Sequence, residues 1–229
     1  MKVLVTGAGR GGTNLLTELI RKISDLKFTS SVEDRNFFKK ELPNKYATKL
    51  ATEHPTFTIE NLENKIKSND DLKICMVLRN PIDNCLSKIY RGRPKSQGGD
   101  KPNEKISEDA TEKTCVDAIE KTYKILSFLN EKHKDKLLVV TMEDIITETE
   151  KVVSKISNFL SIEPKEYEGF QNNNRNVYQK KRYKNKLNEN QINLHKDLKN
   201  SYGGFFENKP IKDNLEKSLS DIIKEYKKF

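Results

Sequence analysis

Two stretches of this chain combine residue types that grip anions. The first is Gly7-Ala8-Gly9-Arg10-Gly11-Gly12-Thr13-Asn14. A turn of this composition between a strand and a helix offers several backbone N–H groups, and the helix dipole adds partial positive charge at the same place. The second is Arg79-Asn80-Pro81-Ile82-Asp83-Asn84-Cys85-Leu86-Ser87. Arg79 directly follows an apolar run, and Ser87 falls one helical turn beyond Asp83, off the apolar stripe. An arginine and a hydroxyl so placed can share one phosphate, the planar guanidinium taking two of its oxygens. Taken alone, an Arg79–Asp83 pair and a solvated serine explain the second stretch equally well. The first stretch shifts that balance, because Arg10 among four glycines is a poor choice for a turn that binds nothing.

The elements that must position these residues follow from hydrophobic period. Val3-Leu4-Val5-Thr6 is a short apolar run ending in glycines, as a buried parallel strand ends. From Thr13 the pattern turns helical, with Leu15, Leu16, Leu19, Ile20 and Ile23 on one face. Phe28 to Ser31 reads as a second strand, Tyr46 to Thr52 as a weaker third, and Ile59 to Lys67 as a helix. Ile74-Cys75-Met76-Val77-Leu78 is the clearest central strand, and Pro81 suits the first turn of the helix after it. Residues 91–107 form a Gly/Pro/Lys loop, a candidate lid or simple disorder. A long helix carries Val116, Ile119, Tyr123 and Leu126. Leu137 to Thr141 is the last strand, and Val152, Val153, Ile156, Phe159 and Leu160 mark the helix beyond. Residues 170–229 read as polar and mainly helical. Alternating strands and helices predict a three-layer α/β/α fold with a mostly parallel sheet of about five strands, P-loop-NTPase-like, in a single domain over 1–229. Ligand sites in such sheets lie beyond the carboxyl ends of the strands; here that means after Thr6, Leu78 and Thr141.

Bulk properties narrow the class. The 229 residues suffice for one sizeable core. The net charge of +9 favours anionic partners without choosing among nucleotides, glycans and membrane surfaces. Cys75, Cys85 and Cys115 have no metal-ligand spacing and read as reduced thiols. No leader pattern opens the chain and no apolar run reaches the ~18 residues of a membrane span, so the expectation is a soluble cytoplasmic protein.

The glycine turn admits three readings. As a Walker A loop it has the glycine spacing of Gly7 and Gly12 but Thr13 where the lysine belongs. As a dinucleotide fingerprint it matches Gly7-x-Gly9-x-x-Gly12, which alone is weak. As a phosphosulfate loop, Arg10 contacts the phosphate and bridging oxygen, and Gly11, Gly12, Thr13 and Asn14 wrap the 5′-phosphate. The third reading is the one the whole sequence supports. Arg10-Gly-Gly-Thr-Asn-Leu-Leu resembles the 5′-phosphosulfate loop of the sulfotransferases that use 3′-phosphoadenosine 5′-phosphosulfate (PAPS). Val77-Leu78-Arg79-Asn80-Pro81 followed by Ser87 resembles the 3′-phosphate motif of that family. Val140-Thr141-Met142-Glu143-Asp144-Ile145 and Ser157-Asn158-Phe159-Leu160 are similar to segments of its members. The chain departs from the family at Gly11, where a serine is usual, and in lacking a clear C-terminal basic-glycine motif, for which Arg182 in Lys180-Lys181-Arg182-Tyr183-Lys184 is the substitute candidate.

The resemblance implies sulfuryl transfer from PAPS, with 3′,5′-ADP as product and no metal. The acceptor is a hydroxyl or amine of a small molecule or carbohydrate. Transfer of this kind depends on positioning and on stabilising charge at the leaving oxygen, for which Arg10 is the candidate. The acceptor must also lose a proton to a base. His54 is the first candidate, because relatives place a histidine in a similar strand-end segment, and Glu53 is the second. Neighbours on an extended chain point opposite ways, so one of the two faces the site. Lys49 is a further cation available to the sulfonate. His133 and His195 lie in charged or polar segments and read as solvated. The main rival, an NAD(P)-dependent epimerase or short-chain reductase, fits the opening Lys2-Val-Leu-Val-Thr-Gly-Ala-Gly. It needs a Tyr-x-x-x-Lys pair that none of the eight tyrosines provides, and it leaves Arg79 and Ser87 unexplained. A non-catalytic nucleotide or polyanion binder fits the charge, but no nucleic-acid motif is present.

Overall fold

The computed structural model describes residues 1–28, 33–79, 84 and 108–166. The chain forms two compact units, 1–79 with 117–168 and 80–116 with 169–229, and the sheet belongs to the first. In chain order the described elements are β1 (Lys2–Thr6), α1 (Thr13–Ile23), β2 (Lys27–Phe28), β3 (Tyr46–Lys49), α2 (Ile59–Lys67) and β4 (Leu72–Leu78). After them come α3 (Glu108–Lys132), a 3₁₀ turn (Lys134–Lys136), β5 (Leu137–Thr141), α4 (Met142–Thr147) and α5 (Thr149–Leu160).

The five strands are all parallel, in the order β2-β3-β1-β4-β5. β1 and β4 are central and apolar almost throughout, the composition of strands covered on both faces. Alternation along β3 separates the two covering layers. Lys49 points to α1, where it meets Asn14. Tyr46 and Thr48 point the other way, where both hydroxyls donate to the Asp34 carboxylate, at 2.5 and 3.2 Å. Thr52, in phase with Thr48, meets Thr122 of α3 on that second face. α1 packs on β1, β3 and β4 and against α4 and α5, which completes the other layer.

The third strand is weak in the sequence and short in the structure, yet its pairing runs on. Leu50 N donates to the Val5 carbonyl and Thr52 N to that of Gly7, each at 3.1 Å. The second strand is seen at Lys27–Phe28; residues 29–32 of the expected Phe28–Ser31 run lie outside the described residues, as do the helix expected from Pro81 (Asn84 alone excepted), the loop 91–107 and the segment 170–229.

Candidate functional site

Register sets the site. β1 pairs Val5 with Lys49 on one side and with Cys75 on the other. Continued past the strand ends, the same register brings Glu53 to one flank of Gly9 and Arg79 to the other. The side-chain contacts follow it. Gly9 N donates to Glu53 Oε2 at 3.2 Å, and Arg79 Nη1 donates to the Arg10 carbonyl at 3.1 Å. The glycine turn is therefore gripped from both neighbouring strands.

Two of its glycines are required by geometry. Gly7 has φ 146° and a side chain there would collide with the Val77 carbonyl; Gly12 has φ 106° and faces Met142, the first residue of α4. Arg10, with φ 66°, is a left-handed non-glycine residue at the exposed tip of the turn, a conformation that costs about 1–2 kcal/mol and concentrates at functional sites. Helix α1 begins at once after Gly12, which supplies no side-chain cap, and its first turn has no acidic residue. The N–H groups of Thr13, Asn14 and Leu15 have no acceptor within the helix, so the dipole's positive end is left for an anion. Thr13 is buried, and its carbonyl takes the Thr17 hydroxyl at 2.7 Å.

Arg79 is 9 % exposed, so its charge is held in place beside the turn. Lys49 is buried, its ammonium donates to the Asn14 side-chain oxygen, and burial holds its pKa below the ordinary lysine value despite the opposing charge of Glu33. The structure thus brings together Arg10, Gly11, Gly12, Thr13, Asn14, Arg79, Glu53 and Lys49. Ser87 and Arg182 lie outside the described residues.

The Glu53–His54 pair caps the β3 side. Glu53 is exposed and His54 half-buried. His54 Nδ1 accepts the Thr56 N–H at 3.3 Å and lies 2.8 Å from the Thr56 hydroxyl. A neutral ring that accepts at Nδ1 carries its proton on Nε2. His133, expected in solvent, instead sets its ring edge-on to Phe128, 5.4 Å between centroids.

Two residues that sequence reasoning missed hold this segment. Lys121 on α3 donates from Nζ to the His54 carbonyl at 3.0 Å, and the Thr52 and Thr122 hydroxyls meet at 2.5 Å, both residues fully buried. Their only sequence signal is a position on α3 off the apolar stripe, shared by many solvated residues. Among the described residues no group of three or more His, Cys, Asp or Glu is placed to hold a metal ion.

Comparison with known proteins gives this geometry a context. The family model described as Sulfotransferase domain matches residues 1–227. The crystal structure of mouse sulfotransferase SULT7A1 complexed with PAP is similar at TM-score 0.57 and 19% identity, over 98% of this chain and 88% of that one. The sulfotransferase domain from the curacin biosynthetic pathway is similar at TM-score 0.54 and 14% identity, over 98% and 96%. No curated protein matches the sequence.

Proposed function

The chain belongs to the sulfotransferase family, and from that premise we propose that residues 1–229 act as a single domain that moves the sulfuryl group of PAPS to a hydroxyl or amine of a small-molecule or carbohydrate acceptor. Sulfuryl transfer as such comes with the family. The observation that carries the site assignment is the 3.1 Å bond from the Arg79 guanidinium to the Arg10 carbonyl. It puts the cation after β4 against the glycine turn after β1, so that one doubly phosphorylated nucleotide can reach both.

The residues present fit such a ligand. Gly7 and Gly12 let the turn lie close against Val77 and Met142, where a Cβ would collide, and it joins an uncapped helix start to the Arg79 guanidinium. Bound PAPS supplies an activated sulfuryl group on a phosphate leaving group. Gly11 to Asn14 hold the 5′-phosphate, and Arg10 holds positive charge where anionic charge grows. Arg79 holds the 3′-phosphate, a role for which the sequence resemblance also names Ser87, with Arg182 as the substitute candidate. Lys49 fixes Asn14 and lends charge to the same face.

Proton removal from the acceptor falls to the β3 end. The Thr56 contacts favour His54 as a hydrogen-bond donor through Nε2–H, which leaves the Glu53 carboxylate as general base. In this reading the anion shares the turn with Glu53, whose oxygen already occupies the Gly9 N–H. No helix among the described residues is long and apolar enough to cross a membrane; we place the enzyme in the cytoplasm, in keeping with three cysteines in no bridging pattern.

Titration with 3′,5′-ADP and, separately, with NAD(H) tests the assignment, followed by a screen of hydroxyl and amine acceptors with labelled PAPS. Micromolar binding of 3′,5′-ADP without NAD(H) binding is expected. NAD(H) binding with no response to 3′,5′-ADP would return the turn to its dinucleotide reading.

A further inference from the structure

The segment Thr52–Thr56 carries both acid–base candidates, yet it is a turn rather than part of the sheet. Its first residue still pairs along the sheet, Thr52 N donating to the Gly7 carbonyl at 3.1 Å; beyond it the backbone bonds are local, His54 N to the Ala51 carbonyl at 3.1 Å and Phe57 N to that of His54 at 2.9 Å. Besides the Gly9 N–H on the Glu53 carboxylate and the Asn61 side chain on the Thr56 carbonyl, α3 ties it to the described fold. The Thr122 hydroxyl, which also donates to the Ala118 carbonyl at 2.7 Å, meets the Thr52 hydroxyl. One residue earlier on the same helix, the Lys121 ammonium holds the His54 carbonyl.

We propose that Lys121 is a positioning residue for sulfuryl transfer: its ammonium, bonded to the His54 carbonyl and within reach of the Glu53 charge, holds the Glu53–His54 turn against the Gly9–Arg10 tip. This rests on the assignment of that turn as the acid–base side of the site. Three features support the role over a chance surface contact. The carbonyl it holds belongs to the residue between Glu53 and Pro55, where one backbone rotation would move both side chains. The neighbouring Thr122–Thr52 bond is fully buried, so the helix is already fixed there and the lysine stem starts from a rigid base. The ammonium is partly withdrawn from water, which lowers its pKa, while the Glu53 charge acts in the opposite sense and favours the charged form. An ammonium bonded to that carbonyl and attracted by the Glu53 charge acts as a clamp.

The test compares Lys121→Met, which keeps the stem and removes the charge, with Lys121→Arg, which keeps the charge and a donor. Both are measured for kcat and KM with labelled PAPS, for 3′,5′-ADP affinity and for thermal unfolding. Misplacing a catalytic group by about 1 Å costs on the order of 100-fold, so Lys121→Met is expected to lower kcat by roughly 10- to 100-fold, with 3′,5′-ADP affinity unchanged. Lys121→Arg is expected to recover most of that loss. If kcat in Lys121→Met stays within about 2-fold of the unaltered chain, well below that estimate, the inference is overturned. It is also overturned if 3′,5′-ADP affinity falls as far as kcat, or if Lys121→Arg is no better than Lys121→Met. Should Lys121→Met fail to fold, Lys121→Gln, which also removes the charge, takes its place with the same expected and overturning results. Failure of the site assignment itself reads differently, since the unaltered chain would then not bind 3′,5′-ADP.

Discussion

The two flanks of the glycine turn are built differently. On the β4 side, Arg79 ends a strand whose residues are almost all buried, and its guanidinium reaches the turn by continuing the strand register. On the β3 side the strand ends early, and Glu53 and His54 sit in an exposed to half-buried turn that Lys121 and Thr122 hold from another element. The contrast suits two tasks. Gripping a nucleotide phosphate needs fixed charge in a dry place, which a buried strand end supplies. Taking a proton from an incoming acceptor needs a group within reach of solvent and substrate, which a buried strand cannot offer.

The larger effect that would sharpen this comparison lies on the β3 side. Glu53→Gln keeps an oxygen for the Gly9 N–H and removes the basic charge; its kcat is expected to fall by about 100-fold or more, the range for loss of a general base. His54→Asn is expected to lose about 10-fold, as for one hydrogen bond to a charged group. Steady-state rates with labelled PAPS read both. A larger loss in His54→Asn would give the base role to the imidazole and mean that the Thr56 contacts break during turnover.

A smaller effect probes the dryness of the β4 side. Burial pushes the Cys75 thiol from 9.0 up to about 12. The unfolded thiol loses its proton first, so between those values the native state holds one more proton than the unfolded one. The Cys75 contribution is therefore fully present below about pH 9 and is lost as pH rises toward 12, with a slope approaching about 1.4 kcal/mol per pH unit. Urea unfolding at several alkaline pH values should show that slope in the unaltered chain and lack it in Cys75→Ala. Equal slopes would mean that water reaches the strand.

The same contrast explains what the sequence disclosed. β1, the glycine turn and α1 were legible because the period switches from 2 to 3.6 across Gly7 to Thr13, and β4 because Ile74 to Leu78 is an unbroken apolar run. The five-strand parallel sheet followed from their alternation. β3 was only half legible, because Thr48, Lys49 and Thr52 are polar residues buried by partners far away in sequence: Asp34, Asn14 and Thr122. Glu53 and His54 were both named, with His54 placed first; the reversed order proposed above depends on where Thr56 sends its N–H and hydroxyl. Lys121 was not legible at all. It contacts a carbonyl 67 residues earlier in the chain, and no local pattern distinguishes it from the lysines around it.

The central claim is that one nucleotide is gripped by the turn after β1 and the arginine after β4 together. Calorimetric titration of the unaltered chain and of Arg79→Ala with 3′,5′-ADP tests it most directly. Truncating one member of a buried charged contact costs about 2–5 kcal/mol, so the account predicts binding weakened by roughly 100-fold in a variant that still folds. Equal affinity in the two proteins would contradict it.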